Sequence, residues 1–313
     1  MPHDTAPSDL LLQATELVVR LNAVSVSLLQ RHFQLAYTDG LALAAALERT
    51  GIVTAAGIDG YRGLTPHAHA LHAAGRAPSA RELFESWAID PFEGGDGGDA
   101  GSAQAPSIWV YGIEHGDAAN LVQQAPAARD ERDYSIDLQL RYPFNVAAFK
   151  LFSAMHGEPI EHYEQFARRQ QPWVPGTSGY LKGNLYPYPC RTVSDWSEQA
   201  QRETGFTRKE DMLAWCKAHR LPAIAEAVRR HKPRLFIGIG ADCSREFSLA
   251  FFGAEVPLQV FQFAVNGFTK KIRYATHNES RLVVLPHVSG RPNGLNSHEA
   301  LLTAGSFIAG LMR

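Results

Sequence analysis

Apolar residues recur at helical spacing along the first fifty positions of the chain. The pattern predicts three helices, over "SDLLLQATELVVRLN", "SVSLLQRHFQLA" and "TDGLALAAALERTG". Ser8, Ser25 and Thr38 are the candidate N-caps, and Gly51 is placed to end the third helix. The following "IVTAAGIDGYRGL" has the pattern of two short strands around a Gly-Asp-Gly turn. Three helices and a hairpin predict a winged helix-turn-helix domain over residues 1–66.

From residue 107 to residue 313, short apolar strands alternate with helical patterns. Strands are predicted over "SIWVYG", "RLFIGIG" and "RLVVLPHVSG", over "YSIDLQL" with its period of two, and on both sides of Asn266-Gly267, which indicates a hairpin. Helices are predicted over "NVAAFKLFSAMHG", "LPAIAEAVRRHKP" and "SHEALLTAGSFIAGLM". This alternation predicts a three-layer α/β domain. Ligands of such domains bind at the carboxyl ends of the strands.

A connector over residues 67–106 separates the two domains. Its second part, "EGGDGGDAGSAQAP", is acidic and nearly free of large apolar residues, so it predicts a flexible linker. Its first part carries His67, His69 and His72, whose spacing matches no standard zinc pattern, so no metal site is expected.

The composition narrows the class of protein. The chain has 313 residues, of which 45% are hydrophobic and 20% charged, as in ordinary globular proteins. No apolar run approaches the roughly 18 residues of a membrane span, and the N-terminus lacks the pattern of a secretory signal. A cytoplasmic protein with no membrane partner is therefore expected. Cys190, Cys216 and Cys243 are too few for a four-cysteine iron–sulfur cluster and are predicted to be buried.

Charge is distributed unevenly along the chain. Residues 107–313 carry 24 Lys and Arg against 20 Asp and Glu, whereas residues 1–66 and 67–106 are both net acidic. The C-terminal domain is therefore the better candidate for binding a polyanion.

Polar residues that follow the predicted strands are the candidates for chemistry. Glu114 in "GIEHGD" could orient and deprotonate a water molecule, or it is a solvated loop carboxylate. His287 in "PHVSGRPNGLNS" could donate a hydrogen bond to a leaving group, or it caps a strand end. Asn184 in "GNLYPYPC" offers a donor and an acceptor in a stretch that looks like neither a good helix nor a good central strand. In "GIGADC" the missing third glycine favours a strand-to-helix turn over a dinucleotide site.

The N-terminal region resembles a known DNA-binding family. From about Ser8 to Leu64, "SVSLLQRHFQLAY" and "LERTGIV" resemble the gamma domain of the bacterial DNA translocase that partitions chromosomes. That family usually has an Asn-Arg pair at the start of its recognition helix, where this chain has Asp39 and Gly40. An acidic residue there repels phosphate and removes donors to base edges. The resemblance implies DNA contact, with protein contact or dimerisation as the alternative.

The C-terminal region resembles the uracil-DNA glycosylase superfamily over about Pro106 to Arg313. The resemblance is carried by the order of "GIEHG", "PFN", "NLYPYP", "KPRLFIGIGADCS" and "HVSGRPN". It implies a three-layer α/β/α uracil-DNA-glycosylase-like fold and a monofunctional DNA glycosylase that needs no cofactor and no metal. Such an enzyme turns its target base out of the DNA before hydrolysing the glycosidic bond.

The resemblance also implies a role for each motif. Glu114 would direct water and stabilise charge on the sugar, while His287 would stabilise the departing base. Asn184 would recognise that base and Phe144 would stack on it. The remaining implied base contacts are Gly112 and His115, and the implied DNA contacts are Ser289, Gly290, Arg291, Lys270, Lys271 and Arg273, with Arg291 or else Leu295 filling the gap in the stack.

The sequence departs from the family pattern at three positions, and these departures bear on which base is the substrate. Glu114 is an uncommon water-directing residue, and His115 and Val288 stand where the family usually has prolines. These changes favour a modified pyrimidine over uracil, as in phage DNA attacked during antiviral defence. The competing hypothesis is a non-catalytic DNA-binding transcriptional regulator with a glycosylase-like ligand domain. A nicotinamide-dependent dehydrogenase would rest on Gly238 and Gly240 alone.

Overall fold

The computed structural model describes residues 7–21, 23–57, 60–73, 79–116, 134–190, 195–277, 280–288 and 294–312. The chain folds into two compact units, Met1–Asp90 with Val193–Trp215, and Pro91–Thr192 with Cys216–Arg313. One border between the units therefore lies after Asp90, inside the stretch that the sequence predicts as a connector. Two more lie after Thr192 and after Trp215, inside the stretch 107–313 that the sequence predicts as one domain. No helix of the described residues is long and apolar enough to cross a membrane.

The described helices are α1 Pro7–Leu21, α2 Val26–Phe33, α3 Tyr37–Arg49, α4 Pro66–Ala73, α5 Ala80–Ala88, α6 Ile136–Gln139, α7 Pro143–Met155, α8 Tyr163–Gln170, α9 Glu198–Thr204, α10 Lys209–Trp215, α11 Leu221–His231, α12 Ser244–Phe252 and α13 His298–Leu311. The described strands are β1 Ala23–Val24, β2 Arg62–Gly63, β3 Gly97–Gly98, β4 Ile108–Gly116, β5 Tyr180–Cys190, β6 Leu235–Ile239, β7 Gln259–Val265, β8 Phe268–His277 and β9 Ser280–Leu285. Cys216–Arg220 form a π-helical turn.

The first unit contains the three predicted helices, but α1 begins at Pro7, so Ser8 is inside the helix and is not its cap. The predicted hairpin is found only in part, because the strand partner of β2 is β1, which precedes α2. Ser25 caps α2 as predicted, because its side chain accepts a hydrogen bond from the Leu28 amide at 3.2 Å. Thr38 is not the cap of α3, which begins at Tyr37 after Ala36. Strands β1 and β2 pair antiparallel, and Val53 bridges Leu64 beside them. Leu29, Leu43 and Leu47 lie in the apolar core that the helices share.

A seven-stranded mixed sheet forms the second unit, in the order β3-β5-β4-β6-β9-β8-β7. Strands β5, β4, β6 and β9 are parallel neighbours, whereas β3, β7 and β8 pair antiparallel. Helices α7, α8 and α13 pack on one face, and α12 packs on the other, where Phe247 fills the space above Gly238. The winding of the parallel strands reverses between β4 and β6, and ligands of open α/β sheets bind at such a switch point.

Several predicted elements of this unit are confirmed. The hairpin between β7 and β8 turns at Asn266 and Gly267, whose φ angles of 51° and 77° are those of a tight two-residue turn. The "GIGADC" stretch is a strand-to-helix turn, since β6 ends at Ile239 and Gly240 has a φ of 130° before the next helix.

Two predictions about strands are wrong. The period-two segment "YSIDLQL" forms the short helix α6, in which Ile136 and Gln139 are both buried because they are three positions apart. The "GNLYPYPC" stretch lies within β5. Its prolines are tolerated because β3 covers only Leu181 and Lys182 on one side of β5, while the pairing with β4 on the other side is irregular near Pro187 and Pro189.

The glycine-rich stretch predicted as a flexible linker is instead packed against the sheet. Strand β3 pairs with β5, and a Cβ atom on Gly98 would overlap the carbonyl oxygen of Tyr180. Asp99 accepts hydrogen bonds from the amides of Gly101 and Gly179, each at 2.8 Å, and from the Ser107 hydroxyl at 3.0 Å. The glycines therefore serve close backbone approach rather than flexibility.

Candidate functional site

The three residues predicted to carry the chemistry lie along one edge of the sheet. Glu114 and Asn184 belong to the neighbouring parallel strands β4 and β5, and His287 follows β9 by two residues. Because the carboxyl ends of parallel strands meet at the same edge, the fold places these residues on one side of the second unit. The switch point between β4 and β6 lies on that edge.

The side chain of Asn184 is buried and fixed in orientation. Asn184 is 6% exposed, and its Nδ2 donates a hydrogen bond to the Gly94 carbonyl oxygen at 2.8 Å. A carbonyl oxygen can only accept, so the atom that faces Gly94 must be the amide nitrogen. The amide oxygen Oδ1 therefore points the other way, toward Gly112, which pairs with Asn184 in the sheet.

Glu114 lies two residues beyond Gly112 and pairs with Tyr186. Burial, with the charges of Glu246 and Glu114 among further causes, raises the pKa of Tyr186 well above its usual range. Burial and nearby carboxylates raise the pKa of the Cys243 thiol to about 11. At neutral pH both groups stay protonated. Neither supplies a thiolate or phenolate nucleophile. The carboxylates that act on these two groups include Glu114 and Glu246, of which Glu114 is the one on the strand beside Asn184.

Phe144, the predicted stacking residue, is half-buried at the first turn of α7. The ammonium of Lys182 lies 4.8 Å from its ring centroid and 5.1 Å from that of Trp173. This cation therefore holds two aromatic rings beside the strand that carries Asn184.

A buried polar network surrounds Lys182. Its ammonium pairs with Asp96 and donates to Asn145 Oδ1 at 2.7 Å. The Tyr134 hydroxyl donates to Asp96 at 2.7 Å and accepts from Asn145 at 2.8 Å. Burial, and then the charge of Asp96, raise the pKa of Tyr134 far above its usual range. The network ties the glycine-rich stretch to β5 and to α7.

Sequence reasoning missed this network. One signal was available, because Lys182 precedes Asn184 by two positions and so lies on the same face of β5. Asp96 gave no signal, since it is separated from Lys182 by 86 positions and lay in the supposed linker.

The predicted DNA contacts have mixed outcomes. Lys270 is 3% exposed and faces the ring of Phe268, so it is not the surface cation that was predicted, whereas Lys271 is exposed and Arg273 is half-buried. Leu295 is fully buried in the core and cannot fill a gap in stacked bases. Ser289, Gly290, Arg291 and the side chain of His115 lie outside what the structure describes.

His287 itself is exposed, and its carbonyl oxygen accepts from the Leu295 amide at 2.9 Å. This backbone contact joins the end of β9 to the segment that precedes α13. The imidazole therefore lies at the solvent-facing rim of the edge, where a large substrate can reach it.

The recognition helix of the first unit has an unusual surface. A Cβ on Gly40 would lie 2.9 Å from Gln30 and 3.4 Å from Val26, so the glycine permits the close crossing of α2 and α3. Asp39 is exposed in the first turn of α3, where Tyr37 and Leu41 are 58% and 36% exposed. The first two turns of this helix carry no Lys or Arg.

Within the described part of the chain, no three His, Cys, Asp or Glu residues are grouped so that they could hold a metal ion.

One known family matches part of the chain. Residues 6–65 match the family model of the Ftsk gamma domain, which confirms the N-terminal resemblance. The match covers about a fifth of the chain. No curated protein matches the chain significantly.

Proposed function

We propose that this protein is a DNA glycosylase, which hydrolyses the N-glycosidic bond of a flipped-out base and leaves an abasic site. The observation that carries the proposal is the pairing of Asn184 with Gly112 two residues from Glu114. It joins a fixed, buried amide, the glycine that makes room for the amide oxygen, and a carboxylate at the edge where α/β sheets bind ligands. The proposed fold of the second unit is the three-layer α/β/α arrangement of uracil-DNA glycosylases, supported by helices on both faces of the sheet.

Glu114 is assigned the hydrolytic step. A base leaves a sugar through a transition state that resembles an oxocarbenium ion. The carboxylate of Glu114 orients a water molecule toward the sugar carbon and takes its proton, and its negative charge stabilises the cationic sugar. The bond between the sugar and the base breaks as the bond to the water oxygen forms.

The departing base takes the electron pair of the glycosidic bond. His287 stabilises that negative charge through a hydrogen bond from its imidazole. Its position at the rim of the sheet edge supports this role, because the base and its sugar must enter from solvent. Asn184 recognises the polar edge of the base, and Phe144 stacks against its face.

The proposed substrate is a modified pyrimidine, in phage DNA that the protein attacks as antiviral defence. The support comes from the sequence, in which Glu114 and His115 replace the usual residues of the water-directing motif. The Ftsk gamma domain would add a DNA contact with little base specificity, because Asp39 and Gly40 stand in place of the Asn-Arg pair that would donate to base edges.

A non-catalytic DNA-binding regulator is the second candidate. The exposed apolar residues Tyr37 and Leu41 on α3 suit a protein contact such as dimerisation, and a regulator that binds DNA as a dimer would use them in that way. In that case the second unit would bind a base or nucleotide without cleaving it.

A panel of oligonucleotides tests the proposed function. Each would carry one uracil, hypoxanthine, 5-hydroxymethylcytosine or glucosylated 5-hydroxymethylcytosine, and alkali would convert abasic sites into strand breaks. Breaks at a modified pyrimidine are expected. Fast strand breakage at uracil with none at the modified pyrimidines would overturn the substrate assignment. If no oligonucleotide of the panel and no modified phage DNA were broken, the proposal that the protein is a glycosylase would be wrong.

A further inference from the structure

Arg220 is a fully buried cation beside β5. Its side chain is 0% exposed and donates hydrogen bonds to backbone carbonyl oxygens. Nε bonds Leu185 at 3.0 Å, and one terminal nitrogen bonds Asn184 at 3.0 Å and Glu93 at 2.7 Å. The same nitrogen lies 3.4 Å from the carbonyl oxygen of Pro91. A guanidinium is suited to this position because its planar fork presents several donors at fixed angles.

These carbonyls belong to the two segments that fix the Asn184 amide. Glu93 directly precedes Gly94, whose carbonyl oxygen accepts the bond from Asn184 Nδ2. Arg220 therefore holds the backbone at both ends of that hydrogen bond. Gly94 has a φ of 70°, and a Cβ there would lie 2.5 Å from Pro187, so the segment has no room to shift toward β5.

A local irregularity directs Arg220 toward the strand. Arg220 ends the π-helical turn Cys216–Arg220, in which the first and last residues are buried and the middle three are exposed. The extra residue of such a turn rotates the following side chain relative to a regular helix, and π-helical turns occur frequently at functional sites. The helix then resumes at Leu221 with Pro222 in its first turn, where a proline is tolerated.

We infer that Arg220 is a positioning residue for base recognition, which locks the Asn184 amide with its oxygen toward Gly112. The site then offers a hydrogen-bond acceptor to the base and selects bases whose facing edge carries an N–H donor. Without Arg220, the amide could turn and present nitrogen or oxygen, so bases with an acceptor at that edge would be admitted. The inference rests on the proposed role of Asn184 in recognising a base.

Two variants and a control test the inference. Arg220→Met removes the donors, whereas Arg220→Lys keeps the charge and loses the fork. Leu301→Ala, on the buried face of α13, is the control for general loss of stability. Circular dichroism and thermal unfolding would establish that each variant is folded. If Arg220→Met does not fold, Arg220→Lys provides the comparison.

The first measurement needs no catalysis. The side-chain amide signal of Asn184 in a ¹H–¹⁵N NMR spectrum is identified by its absence in Asn184→Asp. In the wild type we expect slow exchange of the bonded amide proton with solvent, and in the Arg220 variants exchange faster by at least about tenfold. Leu301→Ala is expected to leave this exchange rate near the wild-type value. Unchanged exchange in folded Arg220 variants would overturn the inference.

The second measurement is selectivity between two bases. It compares kcat/KM on oligonucleotides that carry the best-cleaved base and the same base methylated at its N–H donor. Wild type is expected to prefer the unmethylated base by about 10²-fold or more, and Arg220→Met to lose most of that preference, because an unpaired buried acceptor no longer rejects the methylated base. Unchanged selectivity would overturn the inference. A wild type that locks the amide but releases no base would instead overturn the proposed function alone.

Discussion

Gly112 and Asn184 face each other across the parallel pair β4 and β5, and a Cβ atom on the glycine would lie 2.5 Å from the amide oxygen of the asparagine. That distance is shorter than real contacts of a Cβ atom allow. The absence of a side chain at position 112 therefore permits the amide to hold its orientation, and the proposed function has the base contact this amide.

Gly112→Ala is predicted to damage the site more than the fold. The added methyl group displaces the Asn184 amide, so kcat/KM for base release should fall by about tenfold or more, with a loss of roughly 1–3 kcal/mol in the free energy of unfolding. Gly310→Ala is the matched control, because a Cβ there meets nothing within 4 Å. If both variants release base as the wild type does, the amide does not need the space.

Lys182→Met is predicted to be strongly destabilising. It leaves the largely buried Asp96 without its cation, and since breaking a fully buried pair costs about 3–5 kcal/mol in the free energy of unfolding, a loss of up to about that size is expected. The double variant with Asp96→Asn should be more stable than Lys182→Met alone, because the stranded charge is removed. Urea unfolding measures both effects. Losses that simply add in the double variant would show that the two side chains do not interact.

The stability of the second unit is predicted to fall in acid through Asp99. Burial alone would raise the pKa of this carboxyl, but hydrogen bonds from Gly179, Gly101 and Ser107 outweigh burial and hold the pKa below its usual value. A lowered folded-state pKa stabilises the fold above the unfolded-state pKa of about 3.9 and loses that contribution as the pH falls through the folded-state value.

Thermal unfolding from pH 6 to about pH 3 would test this contribution in wild type and Asp99→Asn. The wild type should be the more stable protein near neutral pH, and the difference should shrink below about pH 4. A difference that stays constant over the whole range would contradict a role for ionised Asp99.

Asp39→Arg is predicted to strengthen binding to unmodified duplex DNA. The substitution removes a charge that repels phosphate and adds one that attracts it, at the exposed start of α3. The slope of log Kobs against log salt should become steeper by about 1 for each additional phosphate that the protein neutralises. Asp39→Asn, which only removes the charge, should fall between the two. Identical affinity in all three proteins would show that this helix does not face DNA.

The elements that the sequence predicted are those specified by local chemistry. Ser25 caps α2 and Asn266-Gly267 turns the hairpin through interactions within a few residues, which a pattern can reveal. The segment "YSIDLQL" was wrongly predicted as a strand because its seven residues fit a period of two as well as the helical period. In the structure, the side-chain amide of Gln139 donates a hydrogen bond to the Tyr134 carbonyl oxygen at 2.9 Å, and an extended strand would hold these two groups too far apart. The composition of the glycine-rich stretch also led to a wrong prediction of a flexible linker, because a high glycine content is compatible with close packing of the backbone as well as with flexibility.

The candidate site was predictable only in part. Residues that follow parallel strands must share an edge, so Glu114 and His287 could be placed together from their strands alone. The role of Arg220 could not be predicted, because its hydrogen-bond partners are backbone carbonyl oxygens 35 to 129 positions away. Every residue has such an oxygen, so the sequence does not show which ones are the partners. The burial of Lys270 could not be predicted either, because the alternation of polar and apolar residues along β8 fits an exposed hairpin as well as a covered one.

Release of free base by wild type and Glu114→Gln, side by side on the oligonucleotide that the wild type cleaves best, tests the proposed function most directly. Mass spectrometry would quantify the base, and gel shift would measure DNA binding by both proteins. We predict that release falls by at least about 10²-fold in Glu114→Gln while binding is retained. Equal release by the two proteins would remove Glu114 from the chemistry, and binding without release by either would leave a regulator in place of an enzyme.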